Sequence, residues 1–287
     1  MLDIISEKDK ILIFGGSGFL GTELVRVLYS KGLRDITIFA RDEGKMISLK
    51  QDYPEIDFIT GDISDKFEVY QAMKGRDCIF HLAAFKHVGL AETQTRECIK
   101  SNLIGSLNIL ECSIELKPKF IITTSTDKAA KVNGVYGATK YLVEGLFHQF
   151  AKVNEETQYR IVRYGNVLYS TGSVLCKWKR LIQENREIIV TDPEATRFFW
   201  CVSEAVALIF ECLANSTDAK PYCPDMKSMK MGDLLEAMIQ KYSNGTRPPI
   251  KVIGLQQGEN KHEKILSDGL SSEDAEKFTI KEIQELI

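Results

Sequence analysis

The sequence predicts an α/β fold: a Rossmann-like doubly wound parallel sheet with a small C-terminal substrate-binding lobe. Three observations carry that expectation. Short apolar runs alternate with amphipathic segments through the first two thirds of the 287 residues, the pattern of a parallel sheet covered on both faces by helices. A glycine-rich turn follows the first run directly. After about Val167 the alternation loosens, and Pro193, Pro221 and Gly254 mark loops. Residues 1–167 are expected to form the Rossmann domain and 168–287 mainly the lobe, with an interleaved boundary because both pack on one core.

Ile11–Phe14 reads as a buried strand, and Gly15-Gly16-Ser17-Gly18-Phe19-Leu20-Gly21 follows as a turn and helix start. Gly15 permits the tight turn, Gly18 lets backbone approach a pyrophosphate, and Gly21 permits close helix–sheet packing. The helix N-terminus then faces the phosphates. In this strand–turn–helix setting the loop predicts dinucleotide binding; a tight turn with no ligand is the alternative. Further strands are expected at Ile36–Phe39, Asp57–Thr60, Cys78–Leu82, Phe120–Thr124 and Arg160–Arg163. Helical periodicity covers Leu20–Ser30, Phe67–Met73, Ala91–Glu115 and Tyr136–Lys152, and in the lobe Val174–Glu184, Glu204–Leu213 and Met231–Lys241. Asp268–Ile287 is charge-rich and reads as a helix or a partly ordered tail.

The second strand runs into Ala40-Arg41-Asp42. An NAD site usually has an acid at this strand end, ~20 residues beyond the glycine loop. Ala40 stands there instead. The Arg41 guanidinium beside it suits a 2′-phosphate, so NADP is expected, with Lys45 able to assist. The competing reading makes Asp42 the acid and Arg41 a solvated charge. Asp62, at the end of the third strand, could bond the adenine amino group or serve as a helix N-cap.

The chain is 44% hydrophobic and 27% charged, as in ordinary soluble globular proteins. Its net charge of −3 gives no electrostatic case for nucleic acid or an anionic membrane surface. Cys78, Cys98, Cys112, Cys176, Cys201, Cys212 and Cys223 are odd in number and scattered, without a C-x-x-C pair, which fits a reduced compartment rather than a disulfide framework or zinc. His87, His148 and His262 have no metal-ligand spacing. The start, Met1-Leu-Asp-Ile-Ile, lacks a basic region and a long apolar run, and no apolar run approaches bilayer length. A cytoplasmic protein is expected.

The chemistry is concentrated between Thr124 and Lys140, T-S-T-D-K-A-A-K-V-N-G-V-Y-G-A-T-K. Tyr136 and Lys140 are four apart and share one helix face. A cation beside a phenol favours the phenolate, so the pair can take a proton from an alcohol. Thr126-Asp127-Lys128 adds a second acid and base, more than alcohol oxidation needs. The bland alternative for Asp127 and Lys128 is a surface ion pair contributing little.

With the glycine loop, G-D-I at Gly61–Ile63, H-L-A-A at His81–Ala84 and Y-G-A-T-K in this order, the chain resembles the extended short-chain dehydrogenase/reductases. Within them it is similar to the inverting UDP-N-acetylglucosamine 4,6-dehydratases, from about residue 9 to 265. The matches include His81–Val88, Glu97–Asn102, Ser125–Ala130, Arg163–Val167, Thr191-Asp192, Thr196–Phe198, Gly258-Glu259 and His262-Glu263. The resemblance implies a homo-oligomer, dimer or higher, and loss of water from a UDP-sugar. Tyr136, helped by Lys140 and Thr126, would deprotonate the 4-hydroxyl while hydride passes to NADP⁺. Lys128 would remove the C5 proton made acidic by the new ketone, Asp127 would protonate the leaving 6-hydroxyl, and hydride would return to C6. Retaining relatives carry Glu at the base position, so Lys128 implies inversion at C5. A lysine base must be neutral, and burial with Lys140 nearby is expected to lower its pKa.

By the same resemblance, Ser17, Phe19, Leu20, Ile63, Leu82, Ala83 and Val167 join the three loop glycines, Arg41, Asp62, Tyr136 and Lys140 at the cofactor. Lys86, Asn166, Thr171, Gly172, Ser173, Val174, Leu175, Thr191, Arg197 and Glu259 map to the substrate, with Arg197 as diphosphate partner. Two departures stand out. The family usually has arginine at Thr171, and R-P-G-E-K-L-H-E where this chain reads Gln256–Glu263. Lys179, Lys227 or Lys230 could compensate. A retaining dehydratase, a 4-epimerase on another nucleotide sugar, and a non-catalytic NADP-binding sensor are the alternatives. An epimerase has no need of Asp127 and Lys128, and a sensor would be expected to lose Tyr136 or Lys140.

Overall fold

The computed structural model describes residues 4–224, 226–256 and 258–287. Outside the described residues lie the first three of the stretch read for a leader, Asp225, and Gln257 of the departure from the family's basic segment. In chain order the elements are β1 (Ile11–Phe14), α1 (Phe19–Ser30), β2 (Ile36–Ala40), α2 (Glu43–Asp52), β3 (Asp57–Thr60), α3 (Lys66–Met73), β4 (Cys78–His81), α4 (Val88–Thr93), α5 (Thr95–Ile99) and α6 (Gly105–Leu116). There follow β5 (Phe120–Thr126), α7 (Val135–Val153), β6 (Gln158–Tyr164), β7 (Asn166–Val167), α8 (Val174–Gln183), β8 (Ile188–Val190), β9 (Thr196–Trp200) and α9 (Val202–Asn215). The chain ends with β10 (Pro221–Tyr222), β11 (Ser228–Lys230), α10 (Met231–Tyr242), β12 (Ile250–Val252) and α11 (Ile280–Leu286).

Seven strands form one parallel sheet in the order β10-β6-β5-β4-β1-β2-β3. The apolar runs are unbroken because both faces are covered. Ile11, Ile13, Ile36, Ile38 and Phe80 pack with α1 and α9 on one side. Leu12, Phe14, Phe39, Ile79 and Ile121 pack with α3, α6 and α7 on the other. The strand order reverses between β1 and β4, so the loops after these two strands splay apart and open a crevice at the carboxyl edge.

The lobe has its own core around Trp178, Leu181, Leu234, Met238 and Ile283, with β11-β9-β7 and β12-β8 as small sheets. Residues 202–222 return to the large sheet, since α9 packs on it and β10 pairs with β6. The C-terminal segment resolves into an irregular stretch and α11, whose Thr279 N-cap and Glu282 form a capping box.

The helix expected over Ala91–Glu115 is broken twice. Gln94 leaves helical geometry at φ −122° and ψ 46°, and Lys100–Ile104 is wound as a π-turn. Such a turn inserts one residue and rotates a side chain inward. Here Asn102 is 1% exposed. It accepts from Phe85 N at 2.6 Å, donates to Phe85 O at 3.0 Å and to Thr139 Oγ1 at 3.0 Å. It thereby ties the loop after β4 to the helix that carries Tyr136.

Candidate active site

A cleft of about 470 Å³ runs along the carboxyl edge of the sheet. Its cofactor-side wall gathers Gly15, Ser17, Gly18, Phe19, Leu20, Gly21, Arg41, Asp62, Ile63, Leu82, Ala83 and Val167. Gly15 has φ +81°, and a Cβ there would lie 2.7 Å from Ala83 N, so the turn demands glycine. A Cβ on Gly21 would meet Gly15 O at 2.5 Å. The α1 N-cap is Gly18, with no side-chain acceptor for the first-turn N–H groups. A glycine cradle against bare helix N–H groups fits a pyrophosphate.

At the β2 end, Asp42 caps α2, accepting from Lys45 N at 3.1 Å and pairing with Lys45 Nζ at 2.9 Å. Both partners hold its pKa below the usual carboxylate range, the Lys45 side chain most. Arg41 is largely exposed and lies 4.0 Å from Asp62, which also faces Lys100 at 3.6 Å. Asp62 Oδ1 accepts from Ser64 N at 3.0 Å, while the cap of α3 is Asp65.

Thr126, Lys128, Tyr136 and Lys140 line the inner end of the cleft with Lys86 and Asn166. Asp127 lies directly behind them, 0% exposed. β5 ends at Thr126 and turns at once into a 3-10 turn over Asp127–Ala129. α7 reaches this turn because Gly137 sits against the Lys128 carbonyl, where a Cβ would collide. Asp127 Oδ1 accepts from Thr126 Oγ1 at 2.8 Å and from Lys128 Nζ at 3.0 Å. Its Oδ2 is buried and has no protein partner. The pair is thus not a surface ion pair.

Two electrostatic expectations are corrected. Lys140 Nζ donates to Thr124 O at 2.9 Å, and burial lowers its pKa to about 8, partly offset by Glu144. The cation acting on Tyr136 is Lys128 instead. Burial pushes the phenol up to about 12, against Lys128's charge and a Thr126 hydrogen bond that favour ionisation. Lys128 is not lowered. Burial disfavours its charge, but the carboxylates of Asp127 and Glu263 outweigh that and raise its pKa. Sequence reasoning noted Glu263 only within a family match. Nothing local set it apart, since Glu263 sits among the polar residues Asn260, Lys261, His262 and Lys264.

The substrate-side residues are less gathered. Thr171 and Gly172 are exposed, Gly172 against His87. Ser173 caps α8. Val174 and Leu175 pack into the lobe core. Thr191 is half-buried beyond the cleft wall. Arg197 Nη1 donates to Thr196 O and Lys261 O, both at 2.8 Å, so two main-chain carbonyls hold the guanidinium. Glu259 accepts from Gln256 N at 3.1 Å, and its carbonyl accepts from Asn133 Nδ2 at 3.0 Å. The compensating lysines are engaged elsewhere: Lys179 over the Tyr242 ring, Lys227 with Glu276 and Glu282, Lys230 with Glu194. Tyr164 and Ser170 line the cleft without having been expected there.

The family described as "Polysaccharide biosynthesis protein" matches residues 11–285. The chain is 35% identical over 266 residues to a UDP-N-acetylglucosamine 4,6-dehydratase (inverting) of Campylobacter jejuni, covering 91% of this chain and 78% of that one. It is 34% identical to an uncharacterized membrane protein of Methanocaldococcus jannaschii, covering 90% and 81%. To a UDP-glucose 4-epimerase of Rickettsia canadensis it is 30% identical, covering 90% and 77%. Among the described residues no helix is long and apolar enough to cross a membrane. The X-ray structure of Pen from Bacillus thuringiensis superposes with a TM-score of 0.93 at 28% identity, covering 99% and 98%. Sequence match and shared fold together place the chain in the polysaccharide biosynthesis protein family, within the extended short-chain dehydrogenase/reductases.

Proposed function

We propose that the protein is an NADP-dependent 4,6-dehydratase of UDP-N-acetylglucosamine that inverts C5. One observation supports the reading above the others: buried Asp127 paired at 3.0 Å with Lys128, which lines the glycine-loop cleft beside Tyr136. Tyr136 takes the proton of the 4-hydroxyl, with Thr126 bonded to the phenol. Gly15, Gly18, Gly21 and Arg41 would hold NADP, which would supply the hydride acceptor for C4 and the hydride donor for C6. Lys128 passes its proton to Asp127 across their 3.0 Å contact. The neutral amine then removes the C5 proton, and Asp127, whose other oxygen has no protein partner, protonates the departing 6-hydroxyl. C5 regains a proton from solvent on the opposite face once hydride has reached C6. The low-dielectric site strengthens each of these interactions. An epimerase would leave Asp127 and Lys128 without a task. Exposed Ile99, Ile104, Ile114, Tyr141, Leu142 and Val153 give α5 to α7 an apolar face for pairing with a second copy.

Incubation with UDP-N-acetylglucosamine is expected to yield a 4-keto-6-deoxy sugar without net NADPH. UDP- and dTDP-linked sugars run in parallel set the substrate range. A 4-epimer with both hydroxyls retained would sink the dehydratase reading.

The choice of NADP rests on Arg41, because Asp42 is held by its cap. Arg41→Ala is expected to weaken NADP binding roughly 10- to 100-fold, the range of a hydrogen bond to a charged group. NAD binding should hardly change. Equal losses for both cofactors in calorimetric titration would count against the assignment.

A further inference from the structure

We propose that Glu263 is a positioning residue for Lys128: a buried carboxylate, delivered by the C-terminal lobe, that holds the ammonium group in place and controls its proton. The inference rests on the dehydratase reading and deepens it. Glu263 Oε1 lies 3.6 Å from Lys128 Nζ, which also makes the 3.0 Å contact to Asp127. Glu263 is 1% exposed, so solvent screens the interaction little.

The position is built from several directions. Asn260 Nδ2 donates to Glu263 Oε2 at 3.1 Å. Glu263 N donates to Ser272 Oγ at 2.8 Å, and Ser272 N donates to Glu263 O at 2.7 Å. Ser272 Oγ in turn lies 2.6 Å from Thr196 Oγ1 at the start of β9. Two residues on, Ile265 O accepts from Arg163 Nη1 of β6 at 2.7 Å. The carboxylate is therefore anchored to both the lobe and the large sheet.

Two carboxylates around one lysine have a chemical reason. Asp127 must carry a proton to the leaving hydroxyl, so it cannot remain the counter-charge of Lys128 throughout turnover. Glu263 has no such task. It remains beside Lys128 and stabilises the ammonium formed when Lys128 takes the C5 proton. The groups facing Lys128 are the Asp127 and Glu263 carboxylates, the Arg197 guanidinium and the Tyr136 phenol. Arg197 disfavours the charged lysine, and the two carboxylates favour it.

The test follows the lysine directly. Protein labelled with ¹³C at lysine Cε is titrated by NMR, with the Lys128 resonance assigned by its loss in Lys128→Arg. Glu263→Gln keeps shape and the Asn260 contact but removes charge, so Lys128 is expected to lose its proton at lower pH than in the wild type. Glu263→Asp should restore the wild-type titration. If the Gln variant does not fold, Asn260→Ala, which frees the carboxylate from its orienting bond, is expected to shift the titration the same way. An unshifted Lys128 in the folded variant overturns the proposal. In parallel, the acid limb of kcat should move to lower pH in Glu263→Gln, with a plateau lowered by up to about tenfold. Absence of dehydration in every protein, wild type included, would remove Lys128's role as base while the titration still decides what Glu263 does to its proton.

Discussion

Lys128→Ala is expected to abolish water loss, lowering dehydration by about a thousandfold or more while C4 oxidation persists. A positioned general base contributes roughly 10²–10⁴-fold, and no other group stands ready to take its place. Asp127 is assigned to the leaving 6-hydroxyl, Glu263 is held by Asn260, and Lys140 is bound to the Thr124 carbonyl. The variant should therefore stall after the first hydride transfer. Reduced cofactor accumulates to at most one equivalent per site, and C5 does not exchange with solvent. Lys128→Arg separates charge from base. A guanidinium keeps a cation beside Tyr136 but cannot deprotonate, so elimination is lost there too. Full dehydration by either variant would remove Lys128 from the mechanism.

Tyr136→Phe is expected to stop the sequence one step earlier, with a loss of about 10²–10⁴-fold. The phenol is buried, and burial pushes its pKa up to about 12 against the help of Lys128 and Thr126. Its removal leaves the 4-hydroxyl without a base. Without a ketone at C4 the C5 proton is not acidic, so Lys128 has nothing to remove. Neither reduced cofactor nor C5 exchange should be detected, although the isosteric ring keeps its packing. The pair of variants is diagnostic: one accumulates reduced cofactor, the other does not. Exchange at C5 in Tyr136→Phe would contradict the order of steps.

Much of this arrangement was legible in the sequence because it is local. β1 has apolar neighbours on both faces, so Ile11–Phe14 reads as one unbroken run. The glycine loop is contiguous with it, and Thr126, Asp127, Lys128, Tyr136 and Lys140 lie within one strand–turn–helix passage. What escaped depends on distant partners. α2 buries only Met46 and Leu49, too little for a helical signature. β10 is two residues long and begins with proline, tolerated because it is an edge strand. The π-turn around Asn102 is held by the Phe85 backbone, which no periodicity in Ala91–Glu115 reports. The charge on Lys128 is favoured by Asp127 beside it and also by Glu263, 135 positions away along the chain (263 − 128). On the substrate side, the two carbonyls that hold Arg197 Nη1 come from the neighbouring Thr196 and from distant Lys261, a contact no local pattern reports.

The fate of C5 tests the central claim most directly. UDP-N-acetylglucosamine is turned over in D₂O, and the product is examined by NMR for deuterium and configuration at C5. Removal of that proton by Lys128 and its replacement from the opposite face predict deuterium at C5 of an L-configured 4-keto-6-deoxy sugar. A D-configured product would contradict inversion, and a product with protium at C5 would contradict elimination through Lys128 altogether.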